Sequence, residues 1–187
     1  MGAILDIILS LVIRGAIAIA ILNMTIALQG KLSEKTTQAN MFNLVATVGR
    51  IMTDEMRMTG YNVSAPYFTV AKKDSIEFTY YNTTLGSQRW VKYALGRTSE
   101  LSSTPNPNDR KLYRIDGNAS GTGPRTLLAV GVVKMEFKYF TSTGDTTSIP
   151  GSVTSFSVYL IMASGEMINS LFPQGEYTYR FFPSNIN

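Results

Sequence analysis

Asp6 and Arg14 are the two charged residues in an otherwise apolar stretch of the chain, AILDIILSLVIRGAIAIAILNMTIAL, spanning residues 3–28. On a helix, eight residues correspond to about 12 Å of rise, so the two cannot neutralise each other within one chain. Two alternatives follow. Their charges are met by a neighbouring copy shifted along a bundle, with Asp6 facing that copy's amino terminus or its Arg14. Otherwise Asp6 complements the helix macrodipole while Arg14 extends its charge to a polar boundary. Other residue pairs offer less. Asp54–Glu55 and Asp74–Glu77 are near neighbours in sequence, but neither lies in a motif that demands a carboxylate dyad. Solvation at the surface explains them.

Conventional active-site chemistry has little to work with. The chain contains no Cys and no His, which removes thiolate nucleophiles, the commonest metal ligand and the usual general base near neutral pH. Phosphate loops, dinucleotide fingerprints, metal spacings and nucleophile elbows are also absent from the sequence. Neither an enzyme nor a bound cofactor or metal is therefore expected. The net charge of +4 is spread over scattered cations. Trp90, between Arg89 and Lys92, is a weak stacking candidate, and no specific nucleic-acid partner is predicted. Sequons occur at Asn23, Asn62, Asn82 and Asn118. Asn82 and Asn118 fall in expected turns, which makes them the candidate glycosylation positions.

The elements that carry these residues follow from the hydropathy pattern. Residues 3–28, as a helix, would be about 39 Å long, enough to cross a hydrocarbon core. That stretch is apolar all round, so lipid or other protein must cover it. The polar segment KLSEKTTQAN follows, and beyond it Met41, Leu44, Val45, Val48, Ile51 and Met52 recur at helical spacing. Arg50, Asp54 and Arg57 share the opposite face, where they can pair. Gly60 is the expected stop. No proline interrupts residues 1–65. Gly15 and Gly30 are the weak points where the helix could flex. A helix over residues 3–59 would reach about 85 Å, longer than one small domain needs.

After Pro66 the period falls to two, predicting strands at 67–72, 75–81, 89–95, 111–116, 132–141, 153–163 and 177–182. Turns are expected at 82–86 and at Asp116–Gly117, with loops at 96–110 and 117–125. The expected architecture is α+β: a long N-terminal α-helix, apolar in its first half and amphipathic in its second, packed on an antiparallel β-sheet head. The expected division is an assembly helix over residues 1–62 and a β-rich head over 63–187.

An acid near the start of an apolar helix that continues into a β-sheet head resembles the type IV pilin and pseudopilin superfamily. GAILDIILSLVIRGAIAIAIL is similar to that family's assembly helix, and Asp6 stands where the family carries an acid, usually Glu. MTDEMRMTGYN and YTYRFFPSNIN resemble the helix end and C-terminal strand of its minor pilins. The resemblance implies a filament subunit whose partners are copies of itself in a helical homopolymer. It also implies an inner-membrane pilus or secretion assembly machinery. The chain would reside in the inner membrane before assembly and in a cell-surface filament afterwards, with the acid neutralising a neighbour's amino terminus. Counted from Gly2, Asp6 lies at the family's usual distance from the mature end. Two features depart from the family pattern: nothing basic precedes Gly2–Ala3, and the head has no cysteine for the family's frequent disulfide. The alternatives are a minor pseudopilin of a secretion or pilus machine and a membrane-anchored envelope binding domain.

Overall fold

The computed structural model describes residues 2–186, with side chains from Asp6 onward. One α-helix, α1 (Gly2–Met56), is followed by eight strands. These are β1 (Phe68–Lys72), β2 (Ser75–Asn82), β3 (Ser87–Leu95), β4 (Arg110–Asn118), β5 (Gly121–Phe140), β6 (Thr146–Thr147), β7 (Ser155–Ala163) and β8 (Gln174–Phe181). The protein is α+β. The chain divides into two compact units, Met1–Thr37 and Gln38–Asn187.

With no proline to remove a backbone donor, α1 runs unbroken through Gly15 and Gly30. It ends at Met56, whose carbonyl accepts from the Thr59 N–H at 3.2 Å and hydroxyl at 2.7 Å; the Thr53 and Glu55 carbonyls accept from the N–H groups of Arg57 and Met58 at 3.1 and 3.0 Å. The chain then turns at Gly60, where φ is +76°, a conformation that a side chain would resist. The Gly60 N–H donates to Thr79 O at 2.9 Å, and the Asn185 side chain donates to the carbonyls of Arg57 (3.3 Å) and Thr59 (3.4 Å) in this turn.

In the second unit, α1 packs on the sheet through Val45, Val48, Met52 and Met56, all buried. Their spacing of three, four and four residues makes a narrow seam. Each contributes about 1.5–3 kcal/mol through burial, as an upper estimate. The expected stripe was broader: Leu44 and Ile51 are about 40% exposed, at 40% and 41%. Nor do Arg50, Asp54 and Arg57 form ion pairs among the described residues; all three are exposed. The adjacent Glu55 pairs instead, with a residue far away in the chain.

The sheet is antiparallel throughout, in the order β1-β2-β3-β4-β5-β7-β8, with β6 paired to β5. β5 has 20 residues and, besides the short β6, serves two long partners. Its first part faces β4, from Asn118 opposite Gly121 to Arg110 opposite Val132. Its second part faces β7, from Val132 opposite Met162 to Phe140 opposite Ser155. The sheet curls so that β5 meets the β1–β2 turn. Phe137 N–H donates to Lys73 O at 2.8 Å, and the Tyr139 hydroxyl lies 2.9 and 3.0 Å from Lys72 O and Ser75 O. Phe156 fills the interior, stacked on Phe181 at 4.8 Å and edge-on to Phe68 at 5.6 Å.

Six of the expected strands hold to within a few residues; the one expected at 132–141 begins at Gly121, and the two-residue β6 was not expected. Asp116–Gly117 is not a turn and residues 117–125 are not a loop. Both lie mainly in the β4–β5 ladder, whose connection is Ala119–Ser120. Gly117 is there for close approach: a Cβ at that position would fall 2.3 Å from the Trp90 ring. Local composition reads Gly, Asn and Ser as loop formers; the paired strands and the covering tryptophan decide otherwise.

Candidate functional site

The feature that no interior of this chain accounts for is the surface of α1 before residue 33. Ile7, Leu11, Val12, Ile17, Ile19, Leu22, Ile26 and Leu32 are each more than half exposed. The most apolar 18-residue window of this helix has none of its residues buried. Exposing one large apolar side chain is ordinary, whereas a continuous sleeve of them marks a surface made for lipid or protein. Thr25 is compatible with such surroundings because its hydroxyl donates back to Ile21 O at 2.9 Å. The length and composition of α1 also suffice to cross a membrane.

Asp6, Ser10 and Arg14 follow one another at intervals of four residues and, with Ile7 and Leu11, line a shallow groove on the helix. Asp6 and Arg14 are exposed. Among the described residues neither has an ion-pair partner. One acid and one base on an apolar sleeve are costly to cover unless the covering surface brings the opposite charge.

A second polar constellation holds the other part of α1 to the sheet. Arg114 on β4 donates from Nε to both Glu55 oxygens, at 2.8 and 2.9 Å, and from Nη1 to Asp116 at 3.2 Å. The Tyr93 hydroxyl also donates to Glu55, and Arg89 reaches Asp116 at 3.3 Å. Burial pushes the Tyr93 hydroxyl above its usual range, and the Glu55 charge and hydrogen bond add to this. Burial works against the Arg114 cation, but hydrogen bonds and charge from Glu55, with Asp116, more than offset it and raise the group above its ordinary value. The sequence reading missed this latch because Glu55 lies 38 to 61 positions from Tyr93, Arg114 and Asp116, beyond any local pattern.

The remaining sequence candidates separate clearly. The cations beside Trp90 are ion-paired, Arg89 with Asp116 and Lys92 with Glu77 at 3.5 Å. Asp54–Glu55 and Asp74–Glu77 do not form dyads. Glu77 accepts from Thr69 at 2.6 Å, and Asp74 accepts from Ser75 at 3.4 Å. Asn82 and Asn118 are the last residues of β2 and β4, beside the turns, and their side-chain oxygens accept from Leu85 N–H at 2.9 Å and Ser120 N–H at 3.0 Å. Asp109 is 1% exposed, and its carboxylate lacks a hydrogen bond. Burial pushes the Asp109 carboxyl above its usual range, offset only in part by the nearby Thr104 hydroxyl, which directs its proton to the carbonyls of Leu101 and Asn106. Among the described residues, no group of three or more acids is arranged to hold a metal.

No protein-family model matches the chain, and no curated protein matches it either.

Proposed function

We propose that the chain is a structural subunit of an extracellular type IV pilus-like filament, self-assembling through its apolar N-terminal helix. One observation carries the reading: the helix sleeve from Ile7 to Leu28, apolar but for Arg14 and a few neutral polar residues, is uncovered. Packing such helices side by side buries that surface at about 25 cal/mol per Å². The resemblance of residues 2–22 to a pilin assembly helix supports the same reading, with Asp6 answering a charge on a neighbouring copy. Before assembly the sleeve rests in the inner membrane, where the pilus or secretion assembly machinery takes it up. The sheet-bearing unit forms the outer layer and presents the 96–110 loop to solvent.

Negative-stain electron microscopy of material sheared from producing cells, beside cells carrying Asp6→Ala, tests this reading. Thin filaments containing this chain, rare or lost in the variant, are the expected result. Filaments that persist unchanged in Asp6→Ala would keep the subunit role and remove the charge-pairing step. A second reading, a membrane-anchored envelope binding domain, is favoured by the span's length and hydropathy. It is chosen if the protein stays in the membrane as a monomer and no filaments form. A minor pseudopilin role is distinguished by low abundance in the sheared fraction.

A further inference from the structure

The β7–β8 connection, residues 164–173, is a second uncovered apolar surface, and it carries an acid. Ser164 N–H donates to Pro173 O at 2.8 Å, closing the base of the connection. At its tip Ile168 and Leu171 exchange two backbone hydrogen bonds, 2.8 and 3.0 Å, around Asn169 and Ser170. Both central residues have positive φ, +51° and +64°, as a tight two-residue hairpin turn requires. Glu166 N–H is held by the Ser164 hydroxyl at 3.1 Å. This framework fixes the backbone while turning apolar side chains outward: Met167 is 56% exposed and Leu171 72%. Glu166 beside them is exposed, and among the described residues it has no ion-pair partner.

Arg14 is its complement. It too is exposed, unpaired and set among apolar side chains, Leu11 at 71% and Ile13 at 50% exposure. We propose that the 164–173 turn of one copy docks on the apolar helix of a second copy. Glu166 takes the Arg14 guanidinium of that copy, while Met167 and Leu171 cover the aliphatic side chains around it. Each surface pairs one charge with an apolar surround, and the signs are opposite. A charge covered by apolar surface is tolerated when an opposite charge meets it with hydrogen bonds, and guanidinium and carboxylate match in geometry. The contact gives the helix a partner from the sheet-bearing unit of its neighbour, in addition to helix-on-helix packing. Asp6 is then free for the neighbour's amino terminus.

The inference rests on the filament reading, and charge reversal in the full chain tests the two separately. Arg14→Glu and Glu166→Arg each cut the yield of sheared filaments about tenfold or more, and the double reversal restores most of it. A melt of each full-length variant in detergent matches wild type, because both positions are exposed. As the chain has no cysteine, Arg14→Cys with Glu166→Cys gives, on oxidation of filaments, a ladder of disulfide-linked chains. Either single-cysteine variant lacks that ladder. Wild-type filaments with no ladder, with Glu166→Arg at full yield, or with a double reversal no better than Arg14→Glu alone would overturn this contact and leave the filament standing. A chain that forms no filaments at all overturns both.

Discussion

Residues 7–32 and residues 45–56 belong to one helix and are both rich in aliphatic side chains, yet they meet different surroundings. In the second region a seam of four residues, Val45, Val48, Met52 and Met56, is buried on the sheet, and the other faces are solvated. In the first, apolar side chains extend around the whole circumference and none of the most apolar window is covered. Narrow periodicity goes with intramolecular packing, where one neighbour is always on the same side. All-round hydropathy goes with an environment that has no preferred side, either lipid or a ring of other chains. Charges follow the same division. Glu55 in the second region has its cation in the same chain, at 2.8 Å, whereas Arg14 in the first has no ion-pair partner among the described residues.

The contrast breaks most easily at the core. Phe156→Ala should cost about 3–5 kcal/mol in chemical denaturation of the detergent-solubilised chain, because the ring is fully buried among other aromatic residues. A loss under 1 kcal/mol would mean that the sheet interior is not the stabilising core.

Alkaline pH should weaken the same region without touching the apolar sleeve. Burial raises the hydroxyls of Tyr93 and Tyr139 in the folded state. The unfolded chain gives up these protons near pH 10, so unfolding becomes easier as pH rises beyond that value. The slope is about 1.4 kcal/mol per pH unit for each tyrosine. Denaturation midpoints at pH 8 and pH 11 should differ accordingly, with about half of the difference removed in Tyr93→Phe. Equal midpoints would show both phenols to be freely solvated.

Gly49→Ala probes the packing of the second region on β8. The added Cβ would stand 2.5 Å from the Tyr177 ring, forcing the ring aside and disturbing its 2.8 Å hydrogen bond with Thr53. Destabilisation of about 1–3 kcal/mol is expected, against the gain that alanine normally brings to a helix. A stabilised variant would show the ring to be loosely held.

The smallest effect belongs to the first region. Ile17→Ala, at a residue 54% exposed, should leave the unfolding midpoint within about 0.5 kcal/mol of wild type. On the filament reading proposed above, the same variant lowers filament yield, because Ile17 is uncovered among the described residues. Loss of stability in the isolated chain would place Ile17 in an intramolecular core and erase the contrast.

The sequence alone was sufficient for whatever depends on near neighbours. A proline-free run with helical hydropathy makes α1, period-two alternation makes the strands, and Gly60 supplies the turn after the helix. Asp6 and Arg14 could be singled out because a charge inside an apolar run is visible without a fold. Tertiary structure decided the matters that join distant positions. It turned residues 117–125 from a turn-rich composition into ladder, by setting Gly117 beneath Trp90 and opposite Thr122. It kept only Val45, Val48 and Met52 of the six-residue apolar stripe and added Met56, because a curled sheet touches only one narrow face of a helix. It gave Glu55, rather than Asp54, the cation, since Arg114 arrives from a strand 59 positions away. It also set Glu166 among exposed Met167 and Leu171 on a rigid turn. Periodicity records which way a side chain points, and only the folded chain determines what it meets there.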